Sequence, residues 1–313
     1  MAPHPSKSPM DRPILPRVQD RISFLYAERC VVNRDNNAVT FADERGITHV
    51  PAAGIAALML GPGTKVTYAA MALLGDSGVS VVWVGEKGVR YYASGRSLSN
   101  SSAAAEAQAS IVSNQRRRLF CARQMYAMRF PSEDISRATM AQLRGREGSR
   151  MKKIYQAEAA RTGVNWKKRN YDPQNFSSGD PINRTLTAAN AALYGVAHAV
   201  IASLGFVPSL GVVHQGTERA FVYDIADLYK AEVSIPAAFD AVAENELTAD
   251  VNIRRVIRDY VVKKNLIPSM VRDVMFLMEM SSEAQNIDAE LVLWSDLEVV
   301  SSGHNWADEG PIG

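Results

Sequence analysis

Near residue 97 the hydrophobic period of this chain changes, and that change constrains its architecture more than any single motif does. Upstream, RISFLYAERCVV, AVTFA and ITHVP are short β-rich runs separated by Asn33 to Asn37 and Asp43 to Gly46. Asn, Asp and Gly tolerate left-handed dihedrals, so these separators are turns and a β-meander is predicted. AALMLGPG, a helical VTYAAMALLGDSG, SVVWVGE and GVRYYASG follow, each bounded by glycine. After the Ser- and Ala-rich SLSNSSAAAEAQAS, apolar residues recur at three- and four-residue spacing over 105–129, 138–162, 183–204, 219–230 and 252–280. That is the helical period. The expectation is an α+β chain with a β-rich N-terminal domain over 20–97 and an all-α-helical domain over 98–285. The length of 313 residues suits two such domains.

The ends read differently. Five prolines among the first nineteen residues predict a mobile arm over 1–19, and residues 286–313 read as an acidic, partly disordered tail. The N-terminal segment has no apolar core followed by a small-residue cleavage site, which makes the cytoplasm the default compartment. Uncharged apolar runs stop near ten residues, so no membrane-spanning helix is expected. Cys30 and Cys121 are too few for a disulfide framework and too far apart for a thiolate metal motif.

Charge is segregated along the chain. Residues 111–170 carry fifteen Arg or Lys against four acids, whereas residues 271–313 carry nine acids against Arg272. A basic segment of that size either attracts phosphate or is a solvated helix face. The acidic segment suggests partner binding or self-screening.

Three carboxylate or histidine positions break the helical patterns. Glu147 lies four residues after Leu143 and four before Met151, within an apolar stripe marked by Met140, Leu143, Met151 and Ile154. A carboxylate there needs a cation or a buried ion pair with an arginine, since desolvation costs several kcal/mol. Gly145 and Gly148 bracket it, which suggests the close approach of another backbone. Asp224 and Asp227, three apart in FVYDIADLYK, share nearly one side of a helical turn and are tolerated either in solvent or around a cation. His214 ends an apolar run, and Gly216 then turns the chain before Thr217 opens the next helix, so His214 is either a satisfied core histidine or a ligand. Glu, His and Asp from three segments would form a mixed oxygen and nitrogen site suited to Mg²⁺ or Mn²⁺. In a basic domain, that site would serve phosphoryl transfer on nucleic acid. GPGTKVT lacks the first glycine of a phosphate loop and is read as a tight turn.

Six runs, LGPGTKVTYAA, VVWVGEKGVRYYASG, QLRGREGSR, RNYDPQNF, INRTL..AN..LYGV and GVVHQGTERAFVYDIADLYK, occur in this order. In that order and at those separations they resemble the CRISPR-associated integrase subunit of type I-E systems, over roughly residues 20–280. The resemblance implies a β-sandwich-like N-terminal domain joined to an α-helical catalytic domain. It implies a metal-dependent DNA endonuclease and integrase that forms homodimers. Two homodimers flank a dimer of the small second adaptation protein, and the assembly captures double-stranded, 3′-overhang prespacer DNA and inserts it into the repeat of a CRISPR array. By motif match the metal ligands fall on Glu147, His214 and Asp227, with Asp224 adjoining as a further catalytic candidate. A 3′-hydroxyl would attack a repeat phosphodiester, a transesterification needing no ATP.

Family analogy and the charge map together direct Arg90, Arg144, Arg254 and Arg258 to DNA. Tyr171, Tyr194 and Tyr223 match aromatic positions of a strand-end pocket, and Tyr26 is a candidate wedge at the duplex end. Thr217 stands where some relatives carry lysine. Two other readings stay open: a non-catalytic DNA-binding scaffold, and a general branched-DNA repair nuclease.

Overall fold

The computed structural model describes residues 23–95, 102–131, 133–170, 180–280, 290–294 and 299–300. The first strand among the described residues, β1 (Ser23–Ala27), does not belong to the meander. A break at Glu28 to Cys30 sends the next three strands, β2 (Val31–Asp35), β3 (Ala38–Asp43) and β4 (Gly46–Pro51), into a separate sheet. That sheet has the order β4-β3-β2-β6, with β6 (Lys65–Val66) parallel to β2. Its β2–β3 turn is made at Asn36, whose φ is +52°, the left-handed conformation asparagine tolerates.

β1 instead joins β5 (Ile55–Leu60), β7 (Ser80–Val84) and β8 (Tyr91–Gly95) in the second sheet, in the order β10-β9-β1-β5-β7-β8. Here β1–β5 and β5–β7 are parallel and β7–β8 is antiparallel. Parallel strands are buried on both faces and lose polar alternation, and every residue of IAALML in β5 is buried. Leu25, Ala27, Leu58, Leu60 and Val81 face the small sheet and α1 (Tyr68–Asp76), where Phe41, Val32 and Leu74 complete one core. Phe24, Tyr26, Ala57, Met59, Val82 and Val84 face the other way, into the helical core. The GPGT segment is a turn: Gly63 has φ +76° and the Thr64 hydroxyl donates to the Ala27 carbonyl.

The helical part comprises α2 (Ala103–Ser113), α3 (Gln115–Arg129), α4 (Met140–Thr162), α5 (Pro181–Ser203), α6 (Ala220–Asp227), α7 (Ser234–Glu244), α8 (Ala249–Lys263) and α9 (Leu266–Leu277). The sequence period over 105–129 merges α2 and α3, which Asn114 separates by capping α3 through the backbone N–H groups of Arg116 and Arg117. It likewise merges α8 and α9, separated at Asn265 with φ +49°. α4 opens on a capping box between Thr139 and Gln142, and α5 on Asp180 followed by Pro181. α5 is long and apolar enough to cross a membrane, but two thirds of its apolar window is buried inside the protein, packed on α6, α7, α8 and α9 and on the sheet.

Two expectations are corrected. The chain past residue 286 is not wholly a tail: β9 (Glu290–Trp294) pairs in parallel with β1, and β10 (Val299–Val300) pairs antiparallel with β9. ELVLW is too short and too close to acidic, Ser-rich sequence for its period to announce a strand; long-range pairing with β1 makes it one. Thr217 does not open α6, which starts at Ala220 after a turn. The proposed arm at 1–19 and residues 301–313 lie outside the described residues.

One contact joins the two halves next to the site. Arg90 has φ +112°, a region L residues rarely occupy, and its backbone lies directly against Gly195 of α5. A methyl group on Gly195 would overlap the Arg90 backbone. Gly195→Ala is expected to cost about 1–3 kcal/mol, the usual range for overpacking. A urea unfolding midpoint unchanged from wild type would refute that account of the contact.

Candidate functional site

The segment between α5 and α6 has almost no regular structure and is held by side chains from other elements. Gln108 of α2, fully buried, accepts from the Val207 N–H at 2.8 Å and donates to the carbonyls of Val207 and Leu210. Arg118 of α3 donates to the Val212 carbonyl at 2.6 Å, and Arg144 of α4 to that of Val213. At the centre is Asp224. Its Oδ2 accepts from the N–H groups of Val212 (2.5 Å) and Val213 (3.0 Å), and its Oδ1 from the His214 N–H (2.9 Å) and His214 Nδ1 (2.8 Å).

An ionised carboxylate only accepts, so His214 Nδ1 carries the proton and Nε2 is left as the free ring nitrogen. Nε2 lies 3.9 Å from Asp227 Oδ2. The hydrogen bond to Asp224 raises the His214 pKa above its ordinary value against the opposing effect of burial, and Asp227 and Glu147 add to the rise. Below that raised value Nε2 also carries a proton, which a cation binding there would displace.

Asp224 and Asp227 are both buried, so the solvent-exposed reading of that pair is set aside. Asp227 Oδ1 lies 2.5 Å from the Lys230 ammonium but has no hydrogen bond of good alignment. Burial opposes the charge on Lys230, yet Asp227 and Tyr194 overcome it and raise its pKa. Lys230 also sits 5.0 Å from the centre of the Tyr194 ring, and the Tyr194 ring meets Tyr223 edge-on at 4.9 Å. Tyr223 in turn lies 5.8 Å from the His214 ring.

Glu147 is half-buried and doubly held. Arg129 Nη1 lies 2.6 Å from Oε1, and the Tyr126 hydroxyl donates to Oε2 at 2.6 Å. The ion pair weighed from the sequence is thus present, with Arg129 as its partner. The backbone approach inferred from Gly145 and Gly148 is not: a Cβ at either would meet nothing within 4 Å. Those glycines lie on the exposed side of α4.

The donor set of Glu147, His214 Nε2 and Asp227, two carboxylates and one imidazole, fits a hard divalent cation. Among the described residues no three His, Cys, Asp or Glu side chains close into a ready-made cage.

A second feature is a cleft lined by Arg90, Tyr91, Tyr194, His198, Arg219 and Arg254. It joins the two arginines and the tyrosine expected at DNA to three residues the sequence does not single out. Burial and the charge of Arg90 hold the Arg254 pKa down, which marks the electropositive character of the cleft. Two others among the residues expected at DNA make bonds within the chain. Arg258 is committed to Glu86 (2.6 Å) and Asp259 (3.1 Å), docking α8 on the turn before β8. Tyr26 is buried, donates to Glu28 at 2.5 Å, accepts from the Lys87 N–H and packs over Gly61, so its ring is not presented as a wedge. Arg144 is exposed but reaches the Val213 carbonyl, and Tyr171 lies outside the described residues.

Much of the basic segment serves internal bonds, including Arg117–Glu279, Arg150–Glu133 and Arg161–Asp240. Arg116, Arg137, Arg146, Lys152, Lys153, Lys167 and Lys168 remain exposed. Outside the cleft, the residues missed from the sequence include Tyr126, Arg129, Lys230, Gln108 and Arg118. Only Lys230, three residues after Asp227, carried a local signal.

With this geometry in place, comparison identifies relatives. The family described as CRISPR associated protein Cas1 matches residues 24–132 and 128–267. The chain is similar to a CRISPR-associated endonuclease Cas1 from Clostridium sp. strain SY8519, 48% identical over 94% of this chain and 99% of that one. It is 37% identical to the Escherichia coli CRISPR-associated endonuclease Cas1, over 88% of this chain and 92% of the other. The solved TtCas1–DNA complex superposes with a TM-score of 0.78 at 42% identity, covering 84% of this chain and 99% of that one.

Two outcomes follow from the site. Asp224→Asn turns an NH₂ group toward backbone donors and should cost about 1–3 kcal/mol, the usual cost of unsatisfied buried groups, read by chemical denaturation; an unchanged midpoint would show that the clamp contributes nothing. His198, stacked on Tyr91 at 3.6 Å, has its pKa lowered from 6.5 to about 4 by burial and then by Arg219. The unfolded chain therefore takes up this proton first, and stability falls as pH drops from 6.5 towards 4. His198→Phe keeps the stack and should flatten that part of the stability–pH curve.

Proposed function

The chain belongs to the CRISPR-associated Cas1 family, and from that membership we propose that it is a metal-dependent DNA endonuclease and integrase of the type I-E kind, acting in the cytoplasm during spacer acquisition. The observation that carries the reading is the locked His214: Asp224 fixes its tautomer and leaves Nε2 facing Asp227 at 3.9 Å. Glu147, His214 and Asp227 would hold Mg²⁺ or Mn²⁺, which when bound polarises the scissile phosphate and lowers the barrier to attack by a 3′-hydroxyl.

The chain's own residues do the rest. Asp224 orients the imidazole and the 212–214 backbone. Arg90, Arg219 and Arg254 line a cleft in which guanidinium groups grip phosphates through paired hydrogen bonds. Tyr194 and Tyr223 offer aromatic faces beside the site, where an unpaired base stacks. The transfer exchanges one P–O bond for another: the incoming 3′-oxygen bonds to a repeat phosphorus, and the displaced 3′-oxygen leaves as a hydroxyl. With water as the nucleophile, the same site nicks DNA. The assembly in this reading is a homodimer, two of which flank a dimer of the small second adaptation protein around prespacer DNA. The TtCas1–DNA complex supports the DNA-binding part.

The Arg129–Glu147 pair favours a second reading, a DNA-binding scaffold with a structural carboxylate. A strand-transfer assay separates the two, using supercoiled plasmid bearing a CRISPR array, labelled prespacer, Mg²⁺ or Mn²⁺ and the small partner. Wild type should join label to plasmid, while Glu147→Ala and His214→Ala bind DNA without joining it. Equal behaviour of all three would favour the scaffold. Arg90→Ala and Arg254→Ala should each weaken DNA binding and lower the salt slope by roughly one counterion.

A further inference from the structure

Tyr126 is 1% exposed, and its ring is held on several sides. The guanidinium groups of Arg129 and Arg150 lie 5.5 and 5.9 Å from its centre, and the Phe130 ring lies 6.3 Å away. Arg150 is itself fixed by Glu133, through Nε at 2.7 Å and through Nη2. The single polar atom of this immobilised ring is aimed at Glu147 Oε2. Arg129 meets the opposite oxygen at 2.6 Å. A glutamate on an exposed helix turn ordinarily samples many rotamers; this one is held by one contact to each oxygen, both from α3.

We infer that Tyr126 is a positioning residue: its hydroxyl sets the orientation in which Glu147 presents its carboxylate to a divalent cation. The inference rests on the metal-site reading above. Arg129 is the charge partner of the cation-free state, and a divalent ion competes with it for Oε1. Tyr126 carries no charge and needs no displacement, since a carboxylate oxygen has a second lone pair for the ion while one accepts the phenol. Hydrogen-bond partners that orient a metal ligand commonly contribute about 10–100-fold to metal affinity. A hydroxyl present only to satisfy its own burial would contribute nothing to it.

The test is Mn²⁺ affinity, measured by the loss of free-ion paramagnetic resonance signal on the full chain without DNA. Compared are wild type, Tyr126→Phe, Glu147→Gln and, as a control in the same core, Cys121→Ala, which removes a buried thiol from α3 without touching Glu147. Tyr126→Phe should weaken Mn²⁺ binding roughly tenfold, Glu147→Gln should abolish it, and Cys121→Ala should leave it as in wild type. A Tyr126→Phe chain that binds like wild type while Glu147→Gln does not would overturn the inference and leave the metal site standing. Glu147→Gln binding like wild type would overturn the metal-site reading and the inference with it. Equal weakening by Tyr126→Phe and Cys121→Ala would reduce Tyr126 to a packing residue and also overturn it. Should Tyr126→Phe fail to fold, 3-fluorotyrosine in place of Tyr126 keeps the donor, and its fluorine resonance must shift on adding Mg²⁺; no shift overturns the inference.

Discussion

A buried carboxylate cannot remain charged without donors, and Asp224 shapes the site by meeting that requirement. It receives three consecutive backbone N–H groups and one imidazole N–H, two donors on each oxygen. The backbone of 212–214 has no regular ladder of its own, so the same bonds satisfy groups that would otherwise be orphaned. From that clamp follow the tautomer of His214, the direction of its Nε2 and its approach to Asp227. Gly211 belongs to the same arrangement, because a Cβ there would overlap the His214 carbonyl and Ala220.

Around this centre, charge is distributed between holding the fold and facing outward. Arg118 and Arg144 satisfy the Val212 and Val213 carbonyls, and Arg129 and Lys230 neutralise Glu147 and Asp227. The cationic side chains nearest the carboxylates thus balance them in the absence of a divalent ion. The outward-facing positive charge lies elsewhere, in the cleft of Arg90, Arg219 and Arg254 and on the exposed lysines and arginines of α4 and the segment after it. A charge count over residues 111–170 cannot separate these populations, since pairing is decided by which helices meet.

Several motifs that look independent along the chain turn out to be one contact. The arginine of GVRYY and the glycine of LYGV touch, the strained Arg90 backbone seated where Gly195 has no side chain. VVHQG and YDIAD are joined through Asp224. Glu147 of RGREG is a different case, since its partners Tyr126 and Arg129 lie in a segment with no distinctive pattern.

The sequence by itself determined the change from strands to helices near residue 97, the outer limits of the helical segments apart from α7, the turn at GPGT, and Glu147, His214, Asp224 and Asp227 as the unusual polar positions. These depend on local periodicity, capping and the cost of placing a charge on an apolar stripe, all readable within a few residues. The tertiary structure alone decided that β1 leaves the meander for a parallel sheet, that ELVLW pairs with it from the far end of the chain, that Tyr26 is buried, and that Arg258 docks on Glu86. It also decided which of two Asp residues clamps the loop and which faces the open nitrogen. Those outcomes rest on contacts between residues far apart in sequence, whose energies depend on burial and alignment and leave no periodic trace in either partner.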